Sequence, residues 1–205
     1  MAYPYLAPLS DFAHRKSDFK ALSEVSKGTT KFYDQDFSKS MPAIDAINLD
    51  ILAQKDFSKY SENPLTSCDA LLRDCEGHYY LIEFKNQRSG NIDRKEIHKK
   101  IIDSLSLIHF CFEPSESVCG IASRVKVYVV FPDQNAFLKI VSAVNESARP
   151  KKISLKNPLW DLDVFVRDSF VTEVHTETLS EFKKSVASWP KMDIPWCAKQ
   201  AWLNL

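Results

Sequence analysis

An α/β protein with a mixed sheet flanked by helices is the architecture this sequence predicts, on three observations. Between residues 79 and 87, Tyr79, Leu81, Glu83, Lys85 and Gln87 alternate with Tyr80, Ile82 and Phe84, the period of two that a strand requires. Ile97, Ile101, Leu105, Ile108 and Phe112 recur at helical spacing and form one apolar stripe. Residues 124–132, RVKVYVVFP, are β-branched and aromatic and end at a proline, which reads as a further strand. The expected sheet has four strands.

In chain order, residues 17–27 have Phe19, Leu22 and Val25 near helical spacing, a cap at Ser17 or Asp18 and a stop at Gly28, so they predict a first helix. Residues 41–53 are apolar enough for a strand, a short helix, or one leading into the other. Residues 55–66 read as a loop or frayed helix ending at Asn63-Pro64. A hairpin follows, in which Cys68, Ala70 and Leu72 alternate with Asp69, Leu71 and Arg73 around a Glu76-Gly77 turn. After the helix of residues 92–112 and the strand of 124–132, residues 133–147 look helical and 148–158 form a basic connection. Residues 159–177 suggest two short strands with a turn at 167–169, and residues 180–187 a last helix before a tail bearing Trp189, Trp196 and Trp202. The expected division is a core over 1–132 and a C-terminal α+β extension over 133–205 packed on it.

Composition limits the function classes. Hydrophobic residues make up 44% and charged residues 26% of the 205, the balance of an ordinary globular chain long enough for one core. Lys and Arg number 27 against 27 for Asp and Glu, so polyanion binding has to come from a local patch and not from the field of the whole molecule. Five cysteines without C-x-x-C spacing read as reduced thiols and not as a disulfide framework or zinc site. The opening residues carry no signal-peptide pattern and no apolar run reaches membrane length, so the expected location is cytoplasmic. With 4 glycines and no G-x-G-x-x-G or P-loop, a nucleotide-phosphate loop is excluded.

The chemistry concentrates in residues 68–87. An odd-length turn brings Asp69 across from or diagonal to Glu83 and places the charged set of the second strand on one face, its apolar set on the other. Two carboxylates so placed repel each other unless compensated, and a divalent cation beside Lys85 is the economical compensator.

With its D-x13-E-x-K spacing over a hairpin, followed by a helix and a strand, the chain resembles the PD-(D/E)XK phosphodiesterase superfamily, which includes restriction endonucleases, Holliday-junction resolvases and RecB-like nuclease domains. The resemblance covers roughly residues 17–132 and implies a restriction endonuclease-like core. It implies that Asp69 and Glu83 bind Mg²⁺, or Mn²⁺, and that Lys85 helps to hold and activate the attacking water. It further implies a helical metal ligand, Glu24, and a catalytic glutamine, Gln87. Cys68 stands where the pattern has proline. Arg88, Arg94, Lys95, Lys99 and Lys100 are candidate phosphate contacts, which position nucleic acid without reading it. The implied function is a metal-dependent nuclease, with DNA favoured over RNA; members that cut duplexes are often homodimers. The alternatives are a binding or adaptor protein that keeps the fold without turnover, and an RNase-type toxin or defence effector with the same site.

Overall fold

The computed structural model describes residues 16–18, 22, 39–42, 44–57, 65–86, 93–133 and 159–190. Their strands are β1 (Lys16–Asp18), β2 (Asp45–Asn48), β3 (Ala70–Arg73), β4 (Tyr79–Phe84), β5 (Val125–Phe131) and β6 (Glu173–Thr178), joined side by side in sequence order in one sheet. Each successive pair from β1 to β4 is antiparallel, whereas β5 is parallel to β4 and β6 parallel to β5. The helices are α1 (Leu49–Ile51), continued by a π-helical stretch at Leu52–Phe57, α2 (Arg94–Cys111), α3 (Val118–Ala122), α4 (Asp163–Arg167), preceded by a 3₁₀ turn at Leu159–Asp161, and α5 (Leu179–Ser188).

The sheet thus has six strands where four were expected. Strand β1 is only three residues long, too short to show a period of two, and β6, expected in the extension, pairs with β5 in the same sheet. Ser17 and Asp18, expected to cap a helix, lie in β1; Leu22 is helical, and the remainder of that expected helix lies outside the described residues. So do nearly all of the helix expected over 133–147, the basic connection, Trp196 and Trp202. Residues 159–167, expected as a strand, form the 3₁₀ turn and α4. Leu162 and Phe165, three apart, both enter the core; apolar runs this short do not distinguish helix from strand by periodicity.

Both faces of the sheet are covered. On one, Leu71, Tyr79, Leu81, Val125, Val127 and Val129 pack against Ile97, Ile101, Leu105 and Ile108 of α2. On the other, Ala70, Leu72, Tyr80, Ile82, Phe84, Tyr128 and Val130 pack with Leu179 and Phe182 of α5. Strand β4 is therefore buried on both sides, and the expected separation into a charged and an apolar face is corrected. Charge is confined to the end of the strand, because a central strand with parallel crossover helices has no solvated face.

The β3–β4 hairpin sets the register of the site. Gly77 N–H donates to the Asp74 carbonyl at 3.1 Å and Asp74 N–H to that of His78 at 3.0 Å, which leaves Cys75, Glu76 and Gly77 as a three-residue loop. Gly77 has φ +89°, the left-handed position that such loops reserve for glycine. The Asp74 carboxylate ties the turn by accepting the amides of Glu76 and His78, each at 2.9 Å. Among the described residues, no helix is long and apolar enough to cross a membrane.

Candidate active site

Ala70 pairs with Ile82 and Leu71 with Leu81, so one further step along the ladder sets Asp69 across from Glu83, as an odd-length turn requires. One oxygen of Asp69, Oδ2, accepts the Phe84 amide at 2.6 Å. Glu83 and Lys85, two apart, share the face toward α2, and Lys85 N–H extends the parallel ladder by donating to the Val130 carbonyl at 2.8 Å. Lys85 Nζ lies 2.9 Å from Glu83 Oε1 and 2.7 Å from Glu96 Oε1. From the same helix, Lys100 Nζ lies 2.8 and 3.1 Å from the two oxygens of Glu83 and 3.7 Å from Asp69 Oδ1. Asp69, Glu83 and Lys85 are 6%, 1% and 7% exposed, so these charges interact with little screening by water.

Burial, then the neighbouring Glu83 charge, push the Asp69 carboxyl well above the usual range, against a weaker opposing pull from Lys100 and the Phe84 amide. Burial works against the ammonium of Lys100, but Glu83 and then Asp69 outweigh it and raise its pKa. Lys85 is likewise raised: burial and Lys100 lower it, while Glu83 and Glu96 prevail. The site is thus a compact ion cluster in which Glu83 is shared by both lysines, with Glu96 as the second acid of Lys85 and Asp69 as that of Lys100.

Three groups that the sequence reading passed over complete the surroundings. Glu96, one helical turn before Lys100, orients Lys85; its signal was the E-x-x-x-K spacing at 96–100, which puts both on one helix face. Asp50 on α1 accepts Ser67 Oγ at 2.6 Å, and its charge acts on both Asp69 and Lys100. Ser104 Oγ accepts the Cys68 amide at 2.8 Å, which pins the residue before Asp69 to α2. The Cys68 thiol, fully buried, is pushed well up by burial and by Glu83, so it is not a nucleophile. Nothing in a linear pattern foretells the last two contacts, since they depend on how α1 and α2 dock on the sheet.

The expected basic track divides over two flanks of α2. Lys100 turns to the acids. Arg94, Lys95 and Lys99 line a groove of about 750 Å³ between α2 and α4, where Arg94 pairs with Asp161 and Lys99 with Asp103. Glu24, Gln87 and Arg88 lie outside the described residues.

Among the described residues, one group of three could hold a metal by proximity: ligand atoms of Asp74, Glu76 and His78 in the hairpin turn lie within 4.8 Å of one another. Asp74 is committed within the fold there, since Oδ2 also meets His78 Nδ1 and accepts the Tyr80 hydroxyl, both at 3.0 Å. No family model, curated protein or solved structure matches the chain.

Proposed function

We propose that the chain has a PD-(D/E)XK-type core and is a metal-dependent nuclease that hydrolyses phosphodiester bonds, DNA in preference to RNA, using Mg²⁺ or Mn²⁺. The observation that supports this reading is the convergence of two buried carboxylates from adjacent strands on one cation position, with a lysine ammonium 2.9 Å from one of them. Asp69 Oδ1 and both oxygens of Glu83 face the point at which the Lys100 ammonium lies. Such hard oxygen donors suit Mg²⁺, so the residues fit the ion.

Bound by Asp69 and Glu83, a divalent ion supplies Lewis-acid polarisation of a phosphoryl oxygen and makes a water more acidic. The protein's own groups do the rest. The Phe84 amide fixes the plane of the Asp69 carboxylate, so that its second oxygen is aimed in advance of substrate. Glu96 holds Lys85 where its ammonium donates to the phosphoryl oxygens as negative charge builds on them. The site lies where β4 and β5 end, the side of a parallel pair on which ligands collect in open α/β sheets.

A second reading, nucleic-acid binding without turnover, is favoured by one observation: Lys100 already occupies the cation position between the acids. One experiment separates the two. The protein is incubated with Mg²⁺ or Mn²⁺ and plasmid, linear, single-stranded and branched DNA or RNA, beside Glu83→Ala and Lys85→Ala proteins whose folding is checked by circular dichroism. Cleavage that both substitutions abolish is the expected result. Identical traces from all three proteins overturn the nuclease reading.

A further inference from the structure

We infer that Lys100 is a resident counter-cation that a divalent ion has to displace, so that metal entry moves this ammonium from the carboxylate pair to the solvent side of the site. The inference rests on the reading of Asp69 and Glu83 as metal ligands and concerns what controls their loading.

The argument begins with space. Lys100 Nζ sits 2.8 and 3.1 Å from the oxygens of Glu83 and 3.7 Å from Asp69 Oδ1. An Mg²⁺ ion bound to those atoms stands about 2.0–2.1 Å from each oxygen it touches, which is the volume the ammonium fills. Two cations cannot share it. Of the two lysines near Glu83, Lys100 is the one placed to leave. Lys85 has a second acid partner, Glu96 at 2.7 Å, and an 8% exposed side chain. The Lys100 side chain is 16% exposed, sits on the helix and not on the sheet, and has a four-carbon stem long enough to reach water while its backbone stays in α2.

The arrangement has a structural use. Facing carboxylates in a buried hairpin are mutually repulsive, and Lys100 offsets part of that repulsion from within the chain, so the position between them is filled before any ion arrives. The cost is metal affinity, because binding becomes an exchange of one cation for another and not a simple addition. Once released, the ammonium stands beside a newly loaded site and is available to a substrate phosphate.

The test is Mn²⁺ binding by the full chain, measured by isothermal titration for wild type, Lys100→Met and Glu83→Gln, together with reductive methylation of wild-type lysines read by peptide mass spectrometry. Lys100→Met should bind Mn²⁺ at least ten-fold more tightly than wild type, and Glu83→Gln should not bind. In wild type, Lys100 should be protected without Mn²⁺ and become reactive at saturation, while Lys85 stays protected throughout. Glu83-dependent binding that Lys100→Met does not tighten, or a Lys100 that stays protected at saturation, overturns the exchange and leaves Asp69 and Glu83 as ligands. Absence of binding in both wild type and Lys100→Met, or binding indifferent to Glu83→Gln, overturns the metal reading and the exchange with it. Should Lys100→Met not fold, the methylation pattern of the wild type decides alone.

Discussion

Asp69 and Phe84 are joined across the first hairpin of the site by a 2.6 Å hydrogen bond from the amide to Oδ2, which leaves Asp69 Oδ1 as the oxygen that faces Lys100. The bond aims the carboxylate but does not fully stabilise its charge, since burial and Glu83 still hold its proton affinity well above normal.

That shift fixes the sign of a pH effect. A carboxyl whose pKa rises on folding contributes stability that is fully present below its unfolded value, about 3.9, and is lost as pH climbs through the folded one. Asp69→Asn, permanently neutral, should therefore be more stable than wild type at neutral pH. The gap should close as both proteins are brought below about pH 4. Urea unfolding across that range checks this; a variant less stable than wild type at pH 7 contradicts it.

Asp74 should behave in the opposite way. Burial raises its pKa, but the His78 amide and ring and the Tyr80 hydroxyl outweigh burial and lower it. Its contribution is present above the unfolded value and fades as pH falls through the folded one. Asp74→Asn should cost about 1–3 kcal/mol at neutral pH, with the deficit shrinking under acid in the same urea series.

Two glycines should respond differently to alanine. At Gly77 the added Cβ meets nothing closer than 3.4 Å, yet φ is +89°, so Gly77→Ala should lose about 1–2 kcal/mol to backbone strain alone. At Gly120 the added Cβ meets the Glu116 carboxylate and, at 3.2 Å, the Ser117 hydroxyl, but that carboxylate ends a side chain 43% exposed and is able to swing aside, and the hydroxyl has to give by only a few tenths of an ångström. Gly120→Ala, inside α3, should then be neutral or stabilising by up to about 1 kcal/mol. Thermal melts of both variants give the comparison.

Helix α5 depends on its N-cap residue. Thr178 accepts the Glu181 amide while the Glu181 side chain accepts the Thr178 amide, a complete capping box. Thr178→Ala should cost about 1 kcal/mol. It should also loosen the seating of Leu179 and Phe182 on the sheet, seen as faster amide exchange in α5 than in α2.

Much of the site was legible in sequence because it is local. An odd turn at Glu76-Gly77 was enough to put Asp69 opposite Glu83, and the stripe from Ile97 to Ile108 predicted α2 and the side it buries. Residues 41–53 take the third option open to them, the strand Asp45–Asn48 leading into a helix at Leu49. What could not be read depends on contacts between elements. Lys100 looked like its neighbours Lys95 and Lys99, and only the docking angle of α2 separates a lysine facing Glu83 from one facing a groove. Tyr79 and Leu81 sat among charged residues in the alternation, and only the packing of a helix on each face makes their strand dry. The short apolar stretch at Leu162 and Phe165 had no period long enough to reveal α4.

The order in which these contacts are able to form follows from the hairpin. Asp69 and Phe84 are 15 residues apart in the chain and Glu83 and Lys100 are 17 apart, whereas the β4–β5 ladder, from Tyr79 with Val125 to Phe84 with Val130, joins residues 46 apart and the β5–β6 ladder, from Lys126 with Glu173 to Phe131 with Thr178, joins residues 47 apart. Loop closure favours near partners. The stretch from Asp69 to Lys100 holds the acids, both lysines and the helix that carries Lys100, so every contact of the ion cluster joins residues nearer in sequence than the parallel pairings do. The longer-range strand is also the one that closes one side of the ion cluster, where the Val130 carbonyl of β5 accepts the Lys85 amide.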